Sequence, residues 1–334
     1  MNRREFVSGV ATALALPWLA VAQNSGRLPT LGILSFTPEP TPEQFAASPA
    51  TRRLQELGWV EGKTFAIERA YSAGRNERLP ELAADLVRKR VDLIWAFSPL
   101  AAVAAARATK TIPIVFVRVA APLELGLAQS LARPGGNVTG VASTASIEVY
   151  AKPFEFLREI KPEAKRVSAI IAGGTVLTTV AGGVYEPPSN ADLVARHTGI
   201  DVSRYPIAKS EDLDAAFASI VGTRSQAIYA SSSPLIFQHR QRIADFALQH
   251  RLPSVFIEKE FVEAGGLLSY GSDVIATIIQ SLGQVDRILR GAKPADIPIE
   301  QPTRFDLVVN LKTARAIGVA IPQTVLLRAE RVIE

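Results

Sequence analysis

The sequence predicts an α/β protein: two Rossmann-like lobes with parallel sheets joined by a hinge. Three observations predict it. Short apolar runs alternate with helix-spaced amphipathic segments from residue 31 to residue 131, in the order β-α-β-α-β-α-β-α. Helices between strands make a parallel sheet covered on both faces. The same alternation restarts near residue 167, and the turn-rich stretch Gly135-Gly136-Asn137-Val138-Thr139-Gly140 lies between the two units. A chain of 334 residues is long for one core and natural for two lobes. Its 48% hydrophobic and 21% charged content is that of a folded globular chain.

The elements follow in order. Leu31–Ser35 is a buried strand. Thr41-Pro42-Glu43-Gln44 opens a helix, with Thr41 as N-cap, Pro42 at the first position and Gln44 completing a capping box; Gly58 closes it. Phe65–Tyr71 is a strand. Asn76 caps a helix carrying Leu79, Leu82, Ala83, Leu86 and Val87 at helical spacing. Val91–Phe97 and Ile112–Val119 are strands, expected to be parallel neighbours. Ala101–Ala108 and Leu123–Leu131 are helices. In the second unit Val167–Ile171, Ala227–Tyr229, Ser254–Ile257 and Gly266–Tyr270 are strands, and Leu213–Val221 and Ile236–His250 are helices. Val274–Leu289 is a long amphipathic helix that can return to the first lobe. The expected division is therefore 28–140 with 272–300 as one lobe and 141–271 with 301–334 as the other.

Residues 1–22 form a separate element. Arg3-Arg4 precede a mostly apolar run from Val10 to Val21, and Ala20-Val21-Ala22 is a small-residue cleavage site. The run is shorter than the roughly 20 residues that span a bilayer. This is the pattern of a twin-arginine export signal. The chain has no cysteine, so disulfides, thiolate metal sites, a thiol nucleophile and a lipid-modified cysteine are all excluded. A soluble, unanchored, exported protein fits a periplasm.

Catalytic constellations are scarce. His197, His239 and His250 lack metal-ligand spacing, and neither a nucleophile elbow nor a phosphate-binding loop is present. Ser231-Ser232-Ser233 has no histidine placed to activate it. No catalytic residue, metal or cofactor is expected. Net charge is +5 and spread along the chain. Arg88-Lys89-Arg90 ends a helix without interleaved aromatics, so it reads as a solvated helix end and no nucleic-acid partner is expected.

Ligands of open parallel sheets bind at strand C-termini. The loops there supply the candidate residues: Ser35, Phe36, Phe97, Ser98, Pro99 and Arg118 in the first unit, and Gly173, Thr175, Ser231, Ser232 and Glu260 in the second. They are rich in hydroxyls and in amides that precede helices, suited to holding a small anion or zwitterion. The serines also suit helix capping, the phenylalanines core packing and Arg118 a surface ion pair. Arg118, at a strand end, is placed to grip a carboxylate through two parallel bonds.

Several stretches resemble the ABC-transporter substrate-binding family that includes the tryptophan/tyrosine-type binding proteins. They are Arg3-Arg4-Glu5-Phe6, Leu57-Gly58-Trp59-Val60-Glu61-Gly62, Arg78–Val87, Thr111–Phe116, Arg133–Gly140, Glu260–Gly271 and Asn310-Leu311-Lys312-Thr313-Ala314. The resemblance runs over nearly the whole chain after the signal. It implies a type I periplasmic-binding-protein fold with ligand in the cleft between lobes. The chain departs from the family where members often carry an acidic residue before the proline of Ala121-Pro122. It departs again at Ala172-Gly173-Gly174-Thr175, at Ser231, and at Thr175–Asn190, which reads as a rebuilt loop. Acidic groups at such places would hold an amino group.

The resulting expectation is a periplasmic, monomeric solute-binding component of an ABC importer. Its partners are a small carboxylate-bearing molecule, amino acid or aromatic in kind, and an ABC permease. An exported enzyme on the same scaffold is the rival reading.

Overall fold

Five strands pair side by side as the first sheet. They are β1 (Thr30–Ser35), β2 (Ala66–Tyr71), β3 (Leu93–Phe97), β4 (Ile114–Val119) and β5 (Val138–Ala142), in the order β2-β1-β3-β4-β5 and all parallel. The computed structural model describes residues 27–143, 147–173, 177–185, 195, 198–231 and 233–334. The export signal, Thr175 and Ser232 lie outside the described residues.

Helices α1 (Pro42–Ala46), α2 (Pro49–Glu56), α3 (Leu79–Arg88) and α4 (Pro99–Ala108) join these strands. The Thr41 capping box forms as expected, the Thr41 and Gln44 side chains each bonding the other's backbone amide. The single helix expected from Thr41 to Gly58 is instead two, because Pro49 lacks an N–H and starts a new helix capped by Ser48. Asn76 opens a 3₁₀ turn rather than capping α3, and makes no side-chain cap.

The helix expected over Leu123–Leu131 does not form. A helix would give the carbonyl of Leu125 to the amide of Gln129. That carbonyl accepts the Val180 amide instead (2.9 Å), and Gln129 N–H turns to the carbonyl of Pro134 (3.0 Å). Gly126, at φ +73°, completes the turn, and Leu125 and Leu127 still enter the core.

The second half opens with α5 (Ile147–Ile160), β6 (Arg166–Ala172) and a hairpin of β7 (Leu177–Thr178) and β8 (Val184–Tyr185). Then come β9 (Asp201–Ile207), α6 (Asp212–Val221), β10 (Ala227–Ala230), α7 (Pro234–Gln238), α8 (Arg240–Gln249) and β11 (Ser254–Phe256). The chain ends with α9 (Lys259–Glu263), β12 (Leu268–Ser272), α10 (Val274–Leu289), β13 (Phe305–Asn310), α11 (Leu311–Ile317), α12 (Gln323–Leu326) and β14 (Arg331–Ile333). The second sheet runs β14-β13-β12-β11-β10-β6-β9, parallel except where β13 lies antiparallel to β12. The helix expected over Ile236–His250 breaks at His239, whose ring nitrogen meets Ser210 Oγ at 2.9 Å.

Two pieces from the second half pack on the first sheet. Helix α10 buries Leu282, Val285 and Ile288 against Leu31, Ile33 and Val117. Its Ser281 Oγ accepts Trp95 Nε1–H at 3.0 Å, and its Asp286 accepts Trp59 Nε1–H at 2.8 Å. The β7–β8 hairpin lays Leu177, Val180 and Tyr185 on the α4 side of the same sheet. Among the described residues the chain passes between the two sheets after β5, between β12 and α10, and between Glu300 and β13, and the β7–β8 hairpin reaches from the second sheet onto the first.

Candidate functional site

The loops after β3 and β4 open side by side, because β3 and β4 are adjacent and parallel. Both carry backbone in conformations that side chains resist. Ser98 sits at φ 111°, ψ 160°, a region otherwise reserved for glycine. Arg118 sits at φ +62°, where the β4–β5 register shifts between Val117 and Val119. Each such residue costs about 1–3 kcal/mol, which the surrounding sheet must offset. Strain of this kind concentrates at functional sites.

The strain at Ser98 lets its Oγ accept the Ala101 amide at 3.2 Å, so Ser98 is the N-cap of α4 and Pro99 its first residue. The first turn of α4 starts at the C-terminal edge of the sheet, where its amides suit an anion. The shift at Arg118 sends its side chain across to the second lobe. Arg118 Nη2 donates to Glu258 Oε1 at 3.2 Å, with 26% of the arginine side chain and 9% of the glutamate side chain exposed. Glu258 follows β11 and is the N-cap position of α9. The C-terminal ends of β4 in one sheet and β11 in the other therefore meet through this ion pair. The hinge lies beside it: Ser143 N–H bonds the carbonyl of Val119 (3.2 Å), and Ser272 Oγ–H bonds the carbonyl of Ser143 (3.3 Å).

The other candidate residues divide. Ser35 Oγ is spent locally, 3.0 Å from Thr37 Oγ1. Phe36 is half-buried at the same loop. Phe97 leans on Trp95, with ring centroids 4.5 Å apart. Gly173 closes β6 against β9, its amide on the carbonyl of Ile207 at 2.9 Å. Ser231 Oγ accepts the Ala172 amide at 3.2 Å and so ties the β6 and β10 loops together. Glu260 stands in the first turn of α9, half-buried. The residue that faces Arg118 is Glu258, two positions earlier. Its signal is its place: it is the last residue before a helix at a strand end, where the chain still points along the sheet.

Lys259 turns away to Asp273 (3.5 Å), which caps α10 through the Ala276 amide (3.0 Å). Burial opposes ionisation of Asp273, but the Ala276 amide and the Lys259 ammonium outweigh it and hold the carboxyl below the usual carboxylate range.

A family model for the ABC transporter substrate binding protein matches residues 48–333. The chain belongs to that family. It is 26% identical over 294 residues to the "Tyrosine-binding protein" of Clostridioides difficile, covering 88% of this chain and 82% of that protein. Among solved structures, the ABC domain from Streptococcus pneumoniae in complex with L-Trp matches with a TM-score of 0.77 at 22% identity, over 92% of this chain and all (100%) of that one. A conserved domain protein from Vibrio cholerae matches with a TM-score of 0.76 at 24% identity, over 92% and 100%. The two lobes are those of a periplasmic-binding-protein fold, and this ABC substrate-binding protein is a solute binder, not an enzyme. Proteins of this family bind small molecules and work with an ABC permease.

Proposed function

We propose that this chain is the solute-binding component of an ABC importer, exported through residues 1–22 and working in the periplasm as a monomer. It takes a small carboxylate-bearing molecule of the amino-acid or aromatic class into the cleft between its lobes. The lobes are 28–140 with 272–300, and 141–271 with 301–334; the packing of α10 on the first sheet supports that division. The tyrosine and L-Trp binding of its relatives supports the ligand class.

One observation carries the reading: a strained, strand-end arginine at the mouth of a parallel sheet, reaching toward the other lobe. A guanidinium has five N–H donors in a planar fork, so Arg118 can take a carboxylate by two parallel bonds. Hinge closure around the ligand then presents the closed form to the permease.

Thermal-shift screening of small carboxylates checks this. A ligand at 100 times its Kd adds about 2.7 kcal/mol of stability. Arg118→Ala removes a charge-assisted bond, about 1.5–3 kcal/mol, and so weakens binding roughly ten- to a hundred-fold. Arg88→Ala, at an exposed helix end, leaves binding unchanged. Wild-type affinity in Arg118→Ala, or steady product formation from a bound compound, overturns the reading.

A further inference from the structure

We propose that the β7–β8 hairpin is an interlobe strap: rooted in the second lobe through a short link and seated on the first, it limits how far the lobes part. The inference rests on the two lobes turning about their hinge and not on the class of ligand.

The root of the hairpin is in the second sheet. β6 ends at that sheet's C-terminal edge, where the Gly173 amide still bonds the carbonyl of Ile207 on β9 (2.9 Å). β12 leads into the hinge, and the sheet runs β12-β11-β10-β6 from there. At about 4.8 Å per strand the root stands about 14 Å to the side of that crossing. A restraint placed off the hinge acts on the opening motion itself.

The seat of the hairpin is on the first lobe. The Val180 amide donates to the carbonyl of Leu125 at 2.9 Å. Leu177 is buried in the first lobe's core, with Val180 and Tyr185 packed beside it. Burial, and after it the Glu124 carboxylate and Tyr150, push the Tyr185 phenol up, so the ring stands near Glu124 of the first lobe. The tip reaches farther. A Cβ on Gly182 would stand 3.3 Å from Arg107 Nη2, in the last turn of α4. Arg107 is eight residues past Pro99, about 12 Å along the helix from the cleft edge. The tip is closed on itself: Thr179 N–H bonds the carbonyl of Gly183 (2.8 Å), and Gly182 N–H, at φ +91°, bonds the carbonyl of Thr179 (2.9 Å). The hairpin therefore sits on the face of the first sheet opposite α10.

The two links to the hairpin differ in length. Residues 174–176 join Gly173 to Leu177, and residues 186–200 join Tyr185 to β9. Four peptide steps reach at most about 14 Å, whereas sixteen reach roughly 50 Å. While the hairpin stays seated, β6 cannot move farther from it than the short link allows. The long link sets no comparable bound. Full opening then requires the hairpin to leave α4.

The test uses the full chain without ligand. The sequence has no cysteine, so two introduced cysteines take spin labels at two known places. Glu81→Cys on α3 and Ala218→Cys on α6 are exposed positions on the first and second lobes. Pulsed EPR then reads the label-to-label distance in four chains. The first has no further change. The second carries six Gly/Ser residues inserted between Gly174 and Thr175, and the third carries the same insert between Ser189 and Asn190. The fourth is Leu177→Ser/Val180→Ser, which unseats the hairpin. The short-link insertion and the double substitution should extend the long end of the distribution by about 5 Å or more, within the roughly 20 Å of reach that six residues add. The long-link insertion should leave it unchanged. Hydrogen exchange of the Val180 amide should stay slow in the short-link insertion, because the hairpin remains seated and only its tether has grown. Melting curves check that each chain is folded. An unchanged distribution in the short-link insertion overturns the strap, whatever the double substitution does. Equal widening by the long-link insertion overturns it too. No ligand enters the measurement, so these outcomes are distinct from failure of the carboxylate reading.

Discussion

The two lobes are assembled in opposite ways. Among the described residues, the second lobe's buried clusters take none from the first sheet's strands. The first lobe is not self-contained. One face of its sheet is covered by Leu282, Val285, Ile288 and Ile297, and the other receives Leu177 and Ile299, all from beyond β5. A sheet of parallel strands must be covered on both faces. The first segment of chain supplies α3 and α4 for one face and only the short α1 and α2 for the other. The first lobe can therefore close its core only after residues 274–299 have arrived. Its packing is non-local, and non-local contacts carry loop-closure cost before they contribute stability.

Changes in the borrowed pieces test that comparison. The largest effect is expected from Leu282→Ala, fully buried in the middle of α10. A Leu-to-Ala cavity costs about 2–5 kcal/mol. Hydrogen exchange should show the loss in β1, β3 and β4, with β10 and β11 keeping their protection. Equal loss in both sheets would break the comparison, because the lobes would then unfold as one unit.

Leu177→Ala comes next, at the low end of the same range, about 2 kcal/mol. Leu177 lies at the rim of its cluster, 8% exposed, on a hairpin that leaves the second lobe and docks on α4. Denaturant melts should show this smaller shift, with exchange quickening in α4 and in residues 121–131. A shift confined to the hairpin itself would mean that it rests on the first lobe without completing it.

The smallest effect is at the crossing between the lobes. Asp273 is the N-cap of α10, and its carboxyl titrates below the ordinary range in the folded protein. A carboxylate with a lowered folded pKa contributes stability above the unfolded value of about 3.9, and loses it as pH falls through the folded value. Asp273→Asn keeps a good cap and removes the charge. The variant should be less stable than wild type at neutral pH by ~0.5 kcal/mol, from the helix dipole and Lys259. Melting temperatures taken from pH 7 down to pH 2.5 should converge at the acid end. A constant gap would mean that the charge has no part in it.

Much of the first sheet is legible without coordinates. β1, β3 and β4 are apolar runs whose period and flanking caps leave few alternatives, and the Thr41 box names its own helix start. The split at Pro49 has a local cause, while two other failures involve contacts distant in sequence. Leu123–Leu131 has apolar spacing consistent with a helix, yet the Leu125 carbonyl is taken by Val180 from the other lobe. The Ile236–His250 pattern is helical throughout, yet His239 is drawn to Ser210. At Leu125 a partner distant in sequence replaces the local bond, and at His239 the break coincides with a side-chain contact to a distant residue; local pattern carries neither.

The candidate site divides along the same line. Composition and spacing determined that this chain has no thiol chemistry, and that its candidate loops, Arg118 among them, lie at strand ends. Those are local properties of the chain. Only the tertiary structure decided that Ser98 is occupied as a cap and that α10 completes a lobe it does not follow. It also decided that the acid opposite Arg118 is Glu258 rather than Glu260. The two residues of that ion pair are 140 positions apart and on different sheets. Their meeting depends on how two separately formed lobes come together across a hinge, a geometry set by the packing of whole elements and not by any run of neighbouring residues.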